Sequence, residues 1–311
     1  MDADKLRECH KLIKPYINRT PVLHNSNIDA LLGSEVYFKC ENFQSMGAYK
    51  IRGAMHAVLR LAPELRERGV VTHSSGNFAQ ALALAARQAG VKAYIAMPST
   101  ASAFKKKAVR EYGGILEECA PTTEAREAAA RDICERTGGT FLHPSDNIEV
   151  ILGQGTACME LVEEQPDLDF VFVPVGGGGL LAGTAMAASF FSPGTKVIAG
   201  EPSEVDDAYR SFYSGKLQGN TTTNTIADGL KTMLGETSFP LILKYASGIR
   251  RVTETEILTA MRFLWERLKI TAEPSSAVAL AAIQNAGGQF AGKKIGVIIS
   301  GGNVDLDALP F

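Results

Sequence analysis

Cysteine is sparse and unpaired in this chain. Cys9, Cys40, Cys119, Cys134 and Cys158 are odd in number, far apart and without a CxxC pair. That spacing excludes a disulfide framework and a cysteine zinc site, so the five read as free thiols. No apolar run reaches the roughly 20 residues that span a bilayer. The opening MDADKLRECHKLIKPY sets charges at helical spacing and holds no apolar signal core. A cytoplasmic protein without a membrane partner is expected. Neither sign of charge dominates, since 32 Lys and Arg face 34 Asp and Glu. There is then no basic field to hold nucleic acid.

What remains is an ordinary globular composition, 45% hydrophobic over 311 residues, long enough for two domains or one large α/β unit. Short β-rich runs alternate with amphipathic stretches. Residues 35–40 (EVYFKC), 70–73, 93–97, 115–119, 140–142, 170–175, 196–200 and 294–299 read as strands. Residues 51–61, 77–89, 105–112, 124–137, 156–164, 180–191 and 275–285 read as helices. Thr253-Glu-Thr-Glu256 is a capping box that predicts a long helix to about residue 269. Such alternation predicts an α/β fold of two intertwined open parallel-sheet domains with helices on both faces.

Four small-residue turns carry the candidate chemistry. Gly176, Gly177, Gly178 and Gly179 follow an apolar strand and precede a helix. Exposed N–H groups and the helix N-terminus together form an anion cradle, most often for phosphate. Gly177-x-Gly179-x-x-Ala182, with Glu201 some 20 residues on, also fits a dinucleotide site. In Gly47-Ala-Tyr-Lys-Ile-Arg-Gly53, Lys50 stands after a glycine turn among small and apolar neighbours. A desolvated lysine has a lowered pKa and forms Schiff bases. Thr72-His-Ser-Ser-Gly-Asn77 joins a strand end to a helix start, where Ser74, Ser75 and Asn77 can hold a carboxylate. Ser300-Gly-Gly-Asn303 follows the last strand. Ligands bind at the carboxyl ends of strands in open α/β sheets, so the four turns predict one crevice. His10, His24 and His56 show no metal spacing, and His73 and His143 near strand ends receive no role.

In order and spacing these motifs resemble the pyridoxal-phosphate enzymes of the serine racemase and serine/threonine dehydratase family, fold type II, the tryptophan synthase β-like fold. The resemblance runs through RTPVL, KCENFQ, KIRGA, THSSGN, GQGT, VPVGGGG, GEPS, TIADG, AEPSSA and SGGN. It implies a discontinuous cofactor domain, residues 1–68 and 147–311, and a smaller domain, 69–146, that closes on substrate. It implies pyridoxal 5'-phosphate held covalently by Lys50, with its phosphate on Gly176–Gly179. Asn77 would meet the ring hydroxyl, Tyr49 would pack along the ring, and Ser300 would meet the ring nitrogen. Lys50 would act as base at Cα, and Ser75 would serve the opposite face. Ser74, Ser75, Asn77, Phe78 and Arg126 would contact substrate. Glu201, Asp207 and the Val205 carbonyl would bind Mg²⁺ or a similar ion such as Ca²⁺ or Mn²⁺, in keeping with hard oxygen ligands.

The implied activity is dehydration of a small 3-hydroxy amino acid of the serine, threonine or 3-hydroxyaspartate type, giving a keto acid and ammonia. Racemisation is expected as a side activity, and a homodimer as the assembly. The sequence departs from the family at Phe78, where a histidine is common, and at Ser45-Met46, where nucleotide-regulated relatives have Lys-Thr. Phe78 replaces a proton-bearing ring and points away from serine and threonine, toward a 3-hydroxy amino acid with another side chain, such as 3-hydroxyaspartate or an aryl serine. Alternatives stand beside this reading: a racemase as the main activity, a β-replacement synthase, an NAD-binding oxidoreductase, and a non-catalytic sensor that keeps the pocket.

Overall fold

The computed structural model describes residues 1–309 and 311. Among the described residues ten strands form two sheets. They are β1 Val22–His24, β2 Glu35–Cys40, β3 Val70–His73, β4 Ala93–Pro98, β5 Ile115–Cys119, β6 Thr140–Phe141, β7 Phe170–Pro174, β8 Lys196–Pro202, β9 Gly248–Val252 and β10 Lys294–Ile299. The larger sheet has the order β1-β2-β10-β7-β8-β9, and the smaller β5-β4-β3-β6. Of these ten strands only β1 runs antiparallel, pairing Val22 with Lys39.

Helices cover both faces of the larger sheet, and the strand residues divide accordingly. On β7, Val171 and Val173 enter one apolar cluster with Ile51, Met55, Ile151 and Leu181. Phe172, between them, enters the opposite cluster with Ile257, Met261, Val278 and Ala281. The same alternation puts Val36, Phe38, Ile295 and Val297 in the second cluster and Ile298 in the first. Continuous apolar runs at β7 and β10 follow from burial on both faces.

Several element bounds differ from expectation. The helix expected at residue 156 begins at Ile148, with the Asn147 side chain accepting from the N–H groups of Glu149 and Val150. Gly153 and Gly155 interrupt the helical pattern, but packing requires them. A Cβ at Gly153 would lie 2.5 Å from Arg52 O, and one at Gly155 would lie 2.7 Å from Gly183 O. The capping box at Thr253 is formed, yet its α-helix, Glu254–Phe263, gives way to a π-turn over Leu264–Leu268. Lys269 then turns left-handed, with φ +60°. β1 and β9 were not expected; both are edge strands, and β9 carries Arg250 and Arg251 as edge charge. All five cysteines are free. Among the described residues no helix is long and apolar enough to cross a membrane.

Candidate active site

Each candidate turn leaves the carboxyl end of a strand. β2 leads through a short 3₁₀ turn, Glu41–Phe43, to the helix Lys50–Arg60. β3 leads to Ser74 and the helix Asn77–Gln88, β7 to the glycines and the helix Gly179–Phe191, and β10 to Ser300. Hydrogen bonds bring the turns together. Tyr49 N–H donates to Ser300 O over 2.9 Å, and Gly302 N–H to Gly47 O over 2.9 Å. Asn303 Nδ2 donates to Asn77 Oδ1 over 2.9 Å. Lys50 Nζ donates to Pro144 O over 2.9 Å. The next residue, Ser145, lines the glycine loop, since a Cβ at Gly177 would meet Ser145 Oγ at 2.2 Å. Lys50, the glycines, Asn77 and Ser300 therefore share one crevice.

The glycine loop is an open donor set. None of the described hydrogen bonds uses the N–H of Gly176, Gly177, Gly178 or Gly179 as donor. Gly178 sits at φ +82°, and a Cβ there would also strike Ser238 Oγ at 2.6 Å. Only glycine combines that backbone angle with that approach. Lys50 lies over two rings, with Nζ 5.2 Å from the centre of Tyr49 and 5.7 Å from that of Phe78. Burial lowers its pKa to about 8, against the opposing charge of Glu273. Burial also pushes the Tyr49 phenol up. Phe78 is buried, so the departure from histidine puts an apolar face beneath the amine.

Ser300 and Ser276 stand 3.0 Å apart, hydroxyl to hydroxyl. Ser276 donates its hydrogen to Gly301 O over 2.6 Å, so Ser300 is the donor between them. To serve a ring nitrogen, the Ser300 hydroxyl turns away from Ser276. Ser74 Oγ accepts from Gly76 N–H over 3.3 Å. No described hydrogen bond engages the half-buried Ser75 hydroxyl. Arg126 is held to its own helix, by Thr122 O and Thr123 Oγ1, and its charge helps depress His73. His143 is lowered to about 4 by burial and by His73, while its Nδ1 accepts from Ser145 and Asp146 N–H. Burial thus disfavours the charged form of both imidazoles.

One site residue escaped the sequence. Glu273 precedes Pro274 and reads as a helix cap, yet its side chain makes no cap bond. It accepts instead from Asn77 Nδ2, at 2.9 Å to Oε1 and 3.1 Å to Oε2. Burial, reinforced by the charge of Asp228, raises it to about 7. The available signal was a carboxylate set in an apolar stretch, AEPSSAVAL.

Of the candidate cation residues, Glu201 is the penultimate residue of β8, Val205 closes the 3₁₀ turn after it and Asp207 opens the next helix. Glu201 and Asp207 are buried. Glu201 accepts from the N–H groups of Ala208 and Tyr209, at 2.8 and 2.7 Å. Asp207 accepts from Asn220 Nδ2 at 2.6 Å and Leu234 N–H at 2.9 Å. Burial raises Glu201 to about 9, with the charge of Asp207 adding to it, and burial raises Asp207 to about 6. No cationic side chain pairs with either among the described residues. Two buried carboxylates without a positive partner suit a hard cation. No cluster of three or more His, Cys, Asp or Glu is found among the described residues.

Comparison with known proteins gives the class. The family described as pyridoxal-phosphate dependent enzyme matches residues 13–301. The chain belongs to this family. It is 48% identical over 308 residues to serine racemase of Dictyostelium discoideum, covering 98% of this chain and 95% of that protein. It is 46% identical over 302 residues to the beta-hydroxyaspartate dehydratase of Paracoccus denitrificans, covering 97% and 96%. The crystal structure of the Dictyostelium discoideum racemase superposes with a TM-score of 0.93, covering 98% of this chain and 99% of that one.

Proposed function

We propose that this protein is a pyridoxal-phosphate-dependent dehydratase of a small 3-hydroxy amino acid, releasing a keto acid and ammonia. One observation carries the reading: Lys50, its amine depressed to about 8, stands in one crevice with a glycine loop of unengaged N–H donors. The loop fits a phosphate and the amine fits an aldehyde, so the residues suit the cofactor. Gly176–Gly179 would take the phosphate, Lys50 the aldehyde carbon, and Tyr49, Asn77 and Ser300 the ring. When bound, pyridoxal phosphate supplies an electron sink for the pair left on Cα.

The chain's own residues do the rest. The Ser74 and Ser75 hydroxyls and the Asn77 main-chain N–H, at a helix N-terminus, would hold the substrate carboxylate. Lys50 Nζ takes the Cα proton as general base. The 3-hydroxyl leaves as water, taking up the proton that Lys50 removed from Cα, and the enamine released hydrolyses to keto acid and ammonia. The Ser75 hydroxyl serves the opposite face, and a proton delivered there gives racemisation. Arg126 would read a second carboxylate, as a 3-hydroxyaspartate substrate needs. The name of the Paracoccus relative favours such a substrate, and Phe78 lacks the proton-bearing ring that a histidine would offer. A dinucleotide reading of the glycine loop leaves Lys50 idle. The residue it assigns to a ribose, Glu201, is already engaged by two N–H groups.

Glu201, Asp207 and the Val205 carbonyl would bind Mg²⁺ or Ca²⁺. The domain limits 1–68 with 147–311, and 69–146, are supported by the strands, since β3 to β6 form one sheet and all others the second. The assembly would be a homodimer, and the compartment the cytoplasm. The test is an absorption spectrum of the purified protein before and after borohydride, with mass spectrometry of the Lys50 peptide. A yellow protein that bleaches into a Lys50 adduct is expected. A protein that stays colourless with added cofactor overturns the reading. Keto-acid release from serine, threonine and 3-hydroxyaspartate then ranks substrates.

A further inference from the structure

Asn77 presents an amide to the crevice, and the end that faces inward decides what it can hold. Neighbours without a choice of role settle the orientation. Met46 O is a main-chain carbonyl and can only accept. Asn303 Nδ2 lies 3.0 Å from it. The same nitrogen lies 2.9 Å from Asn77 Oδ1. Both hydrogens of Asn303 Nδ2 are therefore engaged, and Asn77 must meet Asn303 with its oxygen. Its nitrogen then faces the Glu273 carboxylate. The reverse orientation would set N–H against N–H at Asn303 and oxygen against oxygen at Glu273.

The fold makes room for this arrangement. Gly47 has φ +78°, and a Cβ there would lie 2.4 Å from Asn303 Oδ1. Gly302 N–H fastens the same turn to Gly47 O, just before Lys50. Glu273 is available because its side chain does not cap its own helix.

We infer that Asn303 and Glu273 are positioning residues that lock the Asn77 amide, so that it offers the cofactor ring oxygen an N–H donor and no acceptor. The inference rests on the assignment of Lys50 and Asn77 to the cofactor. One hydrogen of Asn77 Nδ2 serves the carboxylate, and the other remains for the crevice. A donor there favours the ring oxygen as an anion, with the proton on the Lys50 nitrogen. That form absorbs in the visible. The form with the proton on oxygen absorbs in the near-ultraviolet.

The experiment uses the wild-type protein and the variants Asn303→Asp, Asn303→Ala, Glu273→Gln and Glu273→Leu, each loaded with pyridoxal phosphate. The readouts are the ratio of visible to near-ultraviolet absorbance and the dissociation constant of the cofactor. Asn303→Asp replaces the donor by an acceptor and unlocks the amide. The ratio is expected to fall about fivefold, the scale of one net hydrogen bond, and the affinity with it. Asn303→Ala and Glu273→Leu should lower the ratio in the same direction. Glu273→Gln keeps an acceptor for Asn77 and should hold the wild-type ratio. Should Asn303→Asp fail to fold, Asn303→Ala decides. A yellow wild type with an unmoved ratio in both Asn303 variants overturns the lock alone. A colourless wild type overturns the cofactor assignment and the lock with it.

Discussion

Lys50 shows how one residue's surroundings set its chemistry. Burial lowers its amine to about 8, so the neutral form grows as pH rises through that value. Only the neutral amine attacks an aldehyde. The rate at which apoprotein captures pyridoxal phosphate should therefore climb between pH 7 and 9 and level off well below the ordinary lysine pKa of about 10.4. Stopped-flow absorbance at several pH values measures it, and a climb that continues to pH 10 would defeat the assignment. Lys50→Ala should capture no cofactor covalently and lose turnover. Phe78 is the residue for selectivity. Restoring a polar ring with Phe78→His should shift relative kcat/KM toward serine by roughly tenfold, the scale of one pocket contact. An unchanged substrate ranking would remove position 78 from selectivity. Lys50 and the glycines were legible because glycine punctuation has few explanations other than close approach. Glu273 was not, because a lone Glu before Pro reads equally well as a cap. Only the tertiary fold turns its carboxylate toward Asn77.

Elements were legible where their pattern was local and obscured where packing overrode it. The helix Ile148–Glu164 was read short because Gly153 and Gly155 break its propensity. Helix propensity alone would make Gly153→Ala stabilising by about 1 kcal/mol. Packing reverses the sign, since the new methyl would press on Arg52 O and Gly53 Cα at 2.5 Å. Backbone cannot swing aside as a side chain can, so a net loss of about 1–3 kcal/mol is expected. A urea midpoint at or above wild type would refute that account. A second prediction concerns the gap between the sheets. Lys105 and Asp228 form the one ion pair, among the described residues, between 69–146 and the rest of the chain. Both are partly exposed, which limits the pair to under about 1 kcal/mol. Lys105→Ala and Asp228→Ala should each raise KM about two- to fivefold, less at high salt. The double exchange Lys105→Asp with Asp228→Lys should restore it. Failure of that exchange to recover KM would show that charge pairing is not what matters there.

At the scale of the whole molecule, β-then-helix alternation made the parallel sheets legible, but strand order was not. Nothing local tells β10, the last strand, that it lies between β2 and β7. That placement is what carries Ser300 and Asn303 to Lys50 and Asn77, so the site depends on topology that no motif spells out. The cation reading likewise reaches the whole molecule through its stability. Glu201 and Asp207 are raised to about 9 and about 6, above their ordinary values of about 4.3 and 3.9. Without a cation, the folded state then binds protons that the unfolded chain has released. Stability should therefore decline as pH rises from about 4 through 9. A divalent ion takes the place of those protons and gains most where they are least available. Mg²⁺ or Ca²⁺ should raise Tm more at pH 8 than at pH 6. At a hundredfold excess over Kd the linkage reaches about 2.7 kcal/mol, or several degrees for a chain of this size. Asp207→Asn should remove most of that response and flatten its pH dependence. Differential scanning fluorimetry with Mg²⁺, Ca²⁺ or chelator at both pH values measures it. A Tm indifferent to all three would mean that Glu201 and Asp207 are simply protonated carboxyls, held by the N–H groups of Ala208, Tyr209 and Leu234.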